Sequence, residues 1–159
     1  MSAPAADIIV RDAVSADLPD IVCLLSQDQM GGEGDSADLP LHSGYIAAFD
    51  LIATDPNHRL LVAEQDGAVV GTFQISYSPG LLFHGGWRGT IEAVRVDESL
   101  RSRGIGEAMM QWAIEACRER RCYVVQLTSN VARTGAHRFY ERLGFAQSHL
   151  GFKMMLGDE

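Results

Sequence analysis

The sequence predicts an α/β fold, a mixed sheet flanked by helices, laid out as one domain over residues 1–159. Three observations carry that prediction. Leu60–Glu64 and Ala68–Tyr77 read as antiparallel strands joined at Asp66-Gly67, where glycine supplies positive φ at little steric cost. Ile105, Ala108, Met109, Trp112, Ala113, Ala116 and Cys117 recur at the spacing of one helix face. Finally, 159 residues with 47% apolar content suffice to bury one real core.

The remaining elements follow in chain order. Ile8–Arg11 reads as a short strand, and Ser15 offers a side-chain oxygen to cap a helix carrying Leu18, Ile21, Val22, Leu24 and Leu25. Met30–Pro40 mixes glycine, acidic residues and proline, the composition of a mobile loop. A helix is expected over Gly44–Thr54. Pro79-Gly80 and Gly85-Gly86 break the pattern before a strand at Thr90–Val96. Beyond the Ile105 helix come a strand at Cys122–Thr128, a helix over Thr134–Leu143 ended by Gly144, and a closing strand at Phe152–Leu156.

Composition narrows the function. A net charge of −8 disfavours nonspecific nucleic-acid binding, which needs basic surface to neutralise phosphates, and is compatible with a cationic acceptor. No run of about 18 apolar residues spans a bilayer, and Met1–Asp7 lacks the basic flank and apolar core of a signal peptide, so the expected location is cytoplasmic. Cys23, Cys117 and Cys122 lack the paired spacing of zinc or redox motifs and are expected as thiols. The five histidines form no helical zinc pair, and no catalytic metal is expected.

The most informative segment is Val94-Arg-Val-Asp-Glu-Ser-Leu-Arg-Ser-Arg-Gly-Ile-Gly106, which joins a strand to the long helix through a basic, glycine-bearing turn. Unpaired amides at a helix N-terminus attract a phosphate, and glycines let backbone approach it closely. The plain alternative is a tight connection only. Met109 stands where a dinucleotide-binding fingerprint needs its third glycine, and no Gly-Lys-Ser/Thr follows, so dinucleotide and P-loop readings fail.

Arg101-Ser-Arg-Gly-Ile-Gly106 resembles the Arg/Gln-x-x-Gly-x-Gly/Ala motif of the GNAT superfamily of N-acetyltransferases. Ala136-His-Arg-Phe-Tyr-Glu-Arg-Leu-Gly-Phe145 resembles that family's Ala-x-x-x-Tyr-x-x-x-Gly-Phe segment, and Ile9–Ala13 with Asp17–Ile21 look like its first strand and helix. The resemblance implies a GNAT-like mixed sheet and an enzyme that moves acetyl from acetyl-CoA to an amine. It implies that Arg101, Ser102, Arg103, Gly104, Ile105, Gly106 and Glu107 hold the coenzyme A diphosphate, and that the backbone of Val94 and Val96 pairs with the pantetheine arm as an added strand would. Many members carry asparagine four residues before the second motif's alanine; here Arg133 occupies that region, with Asn130 as the substitute contact. The expected partners are acetyl-CoA, an amine of a small molecule or protein, and a second copy of the chain in a homodimer.

Amine attack requires the neutral form, and a lysine-like amine of pKa about 10.4 costs roughly 4.6 kcal/mol to deprotonate at pH 7. Glu92 is the candidate base: regular alternation would place it on the same sheet face as Val94 and Val96, among apolar neighbours. A structural carboxylate, or a water chain in its stead, is the alternative. By the resemblance, Tyr140 would protonate the leaving thiolate; its alternative is aromatic packing with Phe139 and Leu143. His137 reads as structural, Met109 and Trp112 as core, and Phe83, His84 and Trp87 as candidate walls of an acceptor pocket. A non-catalytic CoA-binding regulatory module and a purely structural interaction protein are the competing classes.

Overall fold

Asp66 and Gly67 both take positive φ, 51° and 79°, as a two-residue hairpin turn of matching twist requires. They join β2 (His58–Gln65) to β3 (Ala68–Pro79), the hairpin on which the sheet is built. The structure is a computed structural model that describes residues 7–27 and 34–157. Met1–Ala6 and the first residues of the expected Met30–Pro40 loop, through Glu33, lie outside the described residues; residues 34–40 form no helix or strand.

β1 (Ile9–Asp12) pairs with β2, and β4 (Trp87–Val96) pairs with β3, all antiparallel. β5 (Cys122–Leu127) runs parallel to β4, completing a mixed sheet in the order β1-β2-β3-β4-β5. A parallel neighbour needs a crossover. The helices are α1 (Leu18–Ser26), α2 (Ser43–Thr54), the single turn α3 (Leu82–Gly85), α4 (Ile105–Glu119), which makes that crossover, and α5 (Thr134–Arg142). The chain divides into a unit reaching Leu127, which holds the sheet, and a unit from Thr128 that holds α5.

The core of the sheet unit is Leu61, Val62, Phe73, Ile75 and Ile91 from the strands with Ile105, Met109, Met110, Ala113 and Cys117 from α4, each buried. Burying each large side chain contributes about 1.5–3 kcal/mol. Met109 is core as expected, and Trp112 packs edge-on against Phe73 with Arg59 over its ring. Gly71 and Gly89 allow α4 this close: a Cβ on Gly71 would meet the Met109 sulfur, and one on Gly89 would collide with Cys117 Sγ. Burial pushes the Cys117 thiol up to about 12, so it behaves as a packed apolar group.

Two local expectations are corrected. Ser15 does not cap α1; it opens a short 3₁₀ turn, Ser15–Asp17, and Asp17 organises the junction. Asp17 accepts the Val14 amide at 2.8 Å and both terminal nitrogens of Arg11 at 2.7 and 2.9 Å, while Arg11 also reaches Glu64 on β2. The expected closing strand at Phe152–Leu156 does not form, and its apolar side chains stand exposed. An apolar composition marks a segment able to pair, but a strand needs a ladder partner, and among the described residues none pairs with this one.

Arg11 holds the Asp17 carboxyl below its ordinary value, chiefly by hydrogen bonding and against the opposing pull of burial. A depressed folded-state pKa gives stabilisation that is complete above the unfolded value of about 3.9 and is lost as pH falls below it. Asp17→Asn should therefore cost about 1–3 kcal/mol in urea unfolding at pH 7. The gap from the parent protein should close as the titration is taken well below pH 4.

Candidate active site

The turn between β4 and α4 is built by a side chain from the far end of α1. Asp97 accepts the Ser99 amide at 2.9 Å and the Ser99 hydroxyl at 2.6 Å, closing the 3₁₀ turn Glu98–Leu100. Gln27, just past α1, donates its amide to Asp97 at 3.5 Å and accepts the Glu98 amide at 3.1 Å. Ser99, then Gln27 and the charge of Arg101, hold the Asp97 carboxyl below its usual range despite some burial. An Asp-x-Ser sequence is a readable turn signal. No signal in the sequence links Gln27 to a residue 70 positions away.

Past Arg101 the chain turns through Ser102 and Gly104, whose φ values of 64° and 84° are both left-handed. Ile105 then buries its side chain and anchors α4. The first intrahelical bond is Ala108 N–H to the Gly104 carbonyl, so the amides of Ile105, Gly106 and Glu107 precede any helical acceptor. Nothing lies within 4 Å of where a Gly104 Cβ would stand. Arg101, Ser102, Arg103 and Gly104 are exposed, and the Glu107 side chain accepts from Gln111 at 3.2 Å on the helix surface. The result is an open, basic face on the positive end of a 15-residue helix, which fits a diphosphate.

β4 brings a second feature to this turn. Its ladder with β5 covers Trp87–Ile91 and stops, while its ladder with β3 continues to Val96. From Glu92 to Val96 the β5 side of the strand thus has no ladder partner among the described residues. An extended amide-bearing ligand can add there as a strand. The Val94 carbonyl accepts Arg95 Nη1 at 2.9 Å, so pairing through that oxygen requires the Arg95 side chain to turn aside.

Regular alternation does not persist from Glu92 to Val96. Gln74 pairs with Glu92 and Thr72 with Arg95, so Ala93 and Val94 together oppose Phe73 alone, a β-bulge in which Ala93 takes φ 52°. Glu92 shares its face with Gln74, whereas Val96 pairs with Gly71 on the face toward α4. Glu92 is exposed, not set among apolar side chains. The acceptor-wall expectation also shifts. Trp87 is five residues from Glu92, about 17 Å at strand rise, and Phe83 stacks on Tyr123 of β5 at the far end of β4.

In the C-terminal unit, Gly144 follows α5 at φ 103°, as the sequence indicates. Tyr140 is half-buried, with Phe139 and Phe145 edge-on at 5.2 and 6.0 Å. Asn130 holds its own loop: its side chain accepts the Ala132 amide, and its carbonyl accepts the Arg133 amide at 3.0 Å and meets His137 Nε2 at 2.8 Å. Arg133 stands as the residue before α5, and its carbonyl accepts the His137 amide. His137 is thus tied to the backbone of its own unit.

A strand that outruns its parallel partner and feeds a basic, glycine-bearing helix start is the acyl-CoA-binding arrangement of the GNAT fold. The family model described as the Acetyltransferase (GNAT) family matches residues 24–145, and the chain belongs to that family. It is 35% identical over 102 residues to the aminoalkylphosphonate N-acetyltransferase of Salmonella typhimurium, 64% of this chain and 66% of that protein. The chain spans just under two thirds of that relative's length. It is 31% identical over 141 residues to the L-methionine sulfoximine/L-methionine sulfone acetyltransferase of Pseudomonas aeruginosa, covering 86% of this chain and 78% of that one. A solved structure of a transcriptional regulator from Bacillus halodurans superposes with a TM-score of 0.91 at 40% identity, covering 94% of this chain and all of that one.

Gly104→Asp sets a carboxylate on the anion-binding face, and Gly104→Ala isolates the cost of a side chain at φ 84°. By calorimetry, the aspartate variant should lose acetyl-CoA affinity by 10-fold or more, roughly 1.4 kcal/mol, beyond the alanine variant. Equal affinities in the two variants would remove the turn from the binding site.

Proposed function

We propose that the protein is an N-acetyltransferase that moves the acetyl group of acetyl-CoA to the amine of a small molecule by direct attack on the thioester. The observation that carries this is the β4 edge from Glu92 to Val96, without a ladder partner on its β5 side among the described residues and running into the Arg101–Gly106 turn. The names of the Salmonella and Pseudomonas relatives support a small-molecule acceptor. Cytoplasmic residence and a homodimer belong to the same proposal, the former because the free thiols Cys23, Cys117 and Cys122 suit a reducing compartment.

Bound acetyl-CoA supplies the activated acetyl thioester. Backbone amides from Arg103 to Glu107 take its diphosphate, with Arg101 and Arg103 adding charge, and the edge at Val94 and Val96 takes its amide-bearing arm. Asn130 and Arg133 are assigned the remaining contacts on the α5 side. Glu92 takes a proton from the acceptor ammonium, directly or through one water, and its exposure leaves it open to an acceptor from solvent. As the N–C bond forms and the C–S bond breaks, Tyr140 gives its phenolic proton to the departing sulfur, and the second proton that the nitrogen sheds on becoming an amide passes through solvent to restore the phenol. A phenol of pKa about 10 against a thiol of about 8.5 makes this a modest proton transfer, helped by hydrogen bonding.

A non-catalytic CoA-binding regulator is the second reading, and the name of the Bacillus halodurans protein speaks for it. An exposed Glu92 beside the unpaired edge speaks for catalysis, and turnover of any amine decides between them.

Glu92→Gln should lower turnover most at neutral pH and regain it as rising pH deprotonates the amine unaided. An unchanged pH-rate profile for the chemical step would take Glu92 out of the mechanism. Tyr140→Phe keeps the ring between Phe139 and Phe145 and removes the donor. Acetyl-CoA affinity should stay near the parent's while the single-turnover rate drops by about 100-fold or more. A parental single-turnover rate would leave Tyr140 a packing residue.

A further inference from the structure

The sheet face that carries Glu92 also carries a polar row that the transfer chemistry does not use. His58 pairs with Ser76, Ser76 with Thr90 and Thr90 with Gln126, so these four side chains cross β2, β3, β4 and β5 on one face. Two contacts bear out the register: His58 Nδ1 lies 3.0 Å from the Ser76 hydroxyl, and the Gln126 amide donates to the Thr90 hydroxyl at 3.3 Å. α4 packs on the opposite face, against Gly71, Phe73 and Gly89. Ser76, Thr90 and Gln74 are only half-buried, and Gln126 and Glu92 are exposed.

Arg88 stands two residues before Thr90 and four before Glu92, paired with Ser78 on β3 and Val124 on β5. Period-two alternation puts Arg88, Thr90 and Glu92 on the same face, and the bulge begins only after Glu92. Among the described residues neither the Arg88 nor the Glu92 side chain takes a hydrogen-bond or ion-pair partner. Arg95, on the same face across the bulge, already gives Nη1 to the Val94 carbonyl. The face therefore holds a cation and an anion about 13 Å apart at Cα, a gap their own side chains narrow, with hydroxyl and amide groups between them.

The geometry points to an acceptor that is itself dipolar: a small amine carrying an acidic group a few bonds away. Its ammonium sits at Glu92, its carboxylate, phosphonate or phosphate at Arg88, and its middle on Thr90, Ser76 and Gln126. Guanidinium offers a fork of N–H donors that matches such oxyanions, and its hydrogen bonds to them are charge-assisted. A lone carboxylate would favour any cation; paired with Arg88 on one face, it selects against polyamines and neutral alkylamines. This assignment rests on the transferase reading above and names its substrate class. Arg88 is a specificity residue in it, remote from the reacting atoms.

The test compares 2-aminoethylphosphonate and β-alanine with ethanolamine, which keeps the amine and lacks the acid, using thiol release from acetyl-CoA as readout. The parent enzyme should favour the acid-bearing amines by about 10- to 100-fold in kcat/KM, the range of one charge-assisted contact, and the phosphonate and carboxylate arms identify which acid fits. Arg88→Gln should shrink that preference toward unity, mainly through KM for the acid-bearing amines, and Arg88→Lys should restore part of it. Retained acetyl-CoA affinity shows that each variant is folded. Equal use of ethanolamine by the parent, or an undiminished preference in Arg88→Gln, would overturn the dipolar assignment and leave the transferase standing. Acetyl-CoA binding with no turnover of any amine, across these and a broad amine panel, would overturn the transferase reading, and this one with it.

Discussion

β4 has to satisfy hydrogen-bonding groups along two edges, and the two edges have partners of different length. β3 follows it from Trp87 to Val96, whereas β5 follows only to Ile91. Backbone amides and carbonyls left without partners are costly when buried, so a strand that outlasts its neighbour must face water or a ligand that pairs with it. The second half of β4 is that segment. The strand then delivers the chain directly to the basic turn and the positive end of α4. A ligand with an amide-bearing arm and a diphosphate therefore meets a continuous track, one part ladder edge and one part helix start.

The bulge at Ala93–Val94 adjusts this arrangement. It inserts one residue into β4 opposite Phe73, bends the strand and reverses the side-chain parity between Glu92 and Val96. Ala93 accepts a left-handed φ that costs a non-glycine residue roughly 1–2 kcal/mol, and strain of this kind persists only where surrounding pairing fixes it. The consequence is functional. Glu92 leaves the sheet away from α4, on the open polar face with Thr90 and Gln126, while Val96 remains on the α4 side.

Rigidity comes from behind the site. Gly71 and Gly89 let α4 lie close on the strands, with Met109 set against Gly71 and Cys117 against Gly89, and Ala113, Phe73 and Ile91 buried in the same core. In front, Gln27 ties the end of α1 to Asp97 and Glu98, so the phosphate turn is held from two elements far apart in sequence. Arg11, Asp17 and Glu64 do the same for the first strand and helix. Each tie places a charged or amide side chain where a backbone turn would otherwise be free to move.

The sequence by itself determined the elements whose signals are local. The Asp66-Gly67 hairpin, the apolar stripe of α4, Gly144 after α5 and the Arg101–Gly106 turn all follow from neighbouring residues constraining one another's φ, ψ or burial. Those signals, with the motif around Tyr140, were enough for the fold class and the family. Only the tertiary structure decided the rest, because the rest is pairing. A bulge is a mismatch between two strands, and nothing within Thr90–Val96 announces it; parity counted along one strand therefore put Glu92 on the wrong face. Phe152–Leu156 has the composition of a strand and joins no ladder among the described residues, and Ser15 was a fair cap until Asp17 found Arg11. The row His58, Ser76, Thr90 and Gln126, with Arg88 and Glu92 beside it, was invisible for the same reason: its members come from four strands, and register alone brings them to one face.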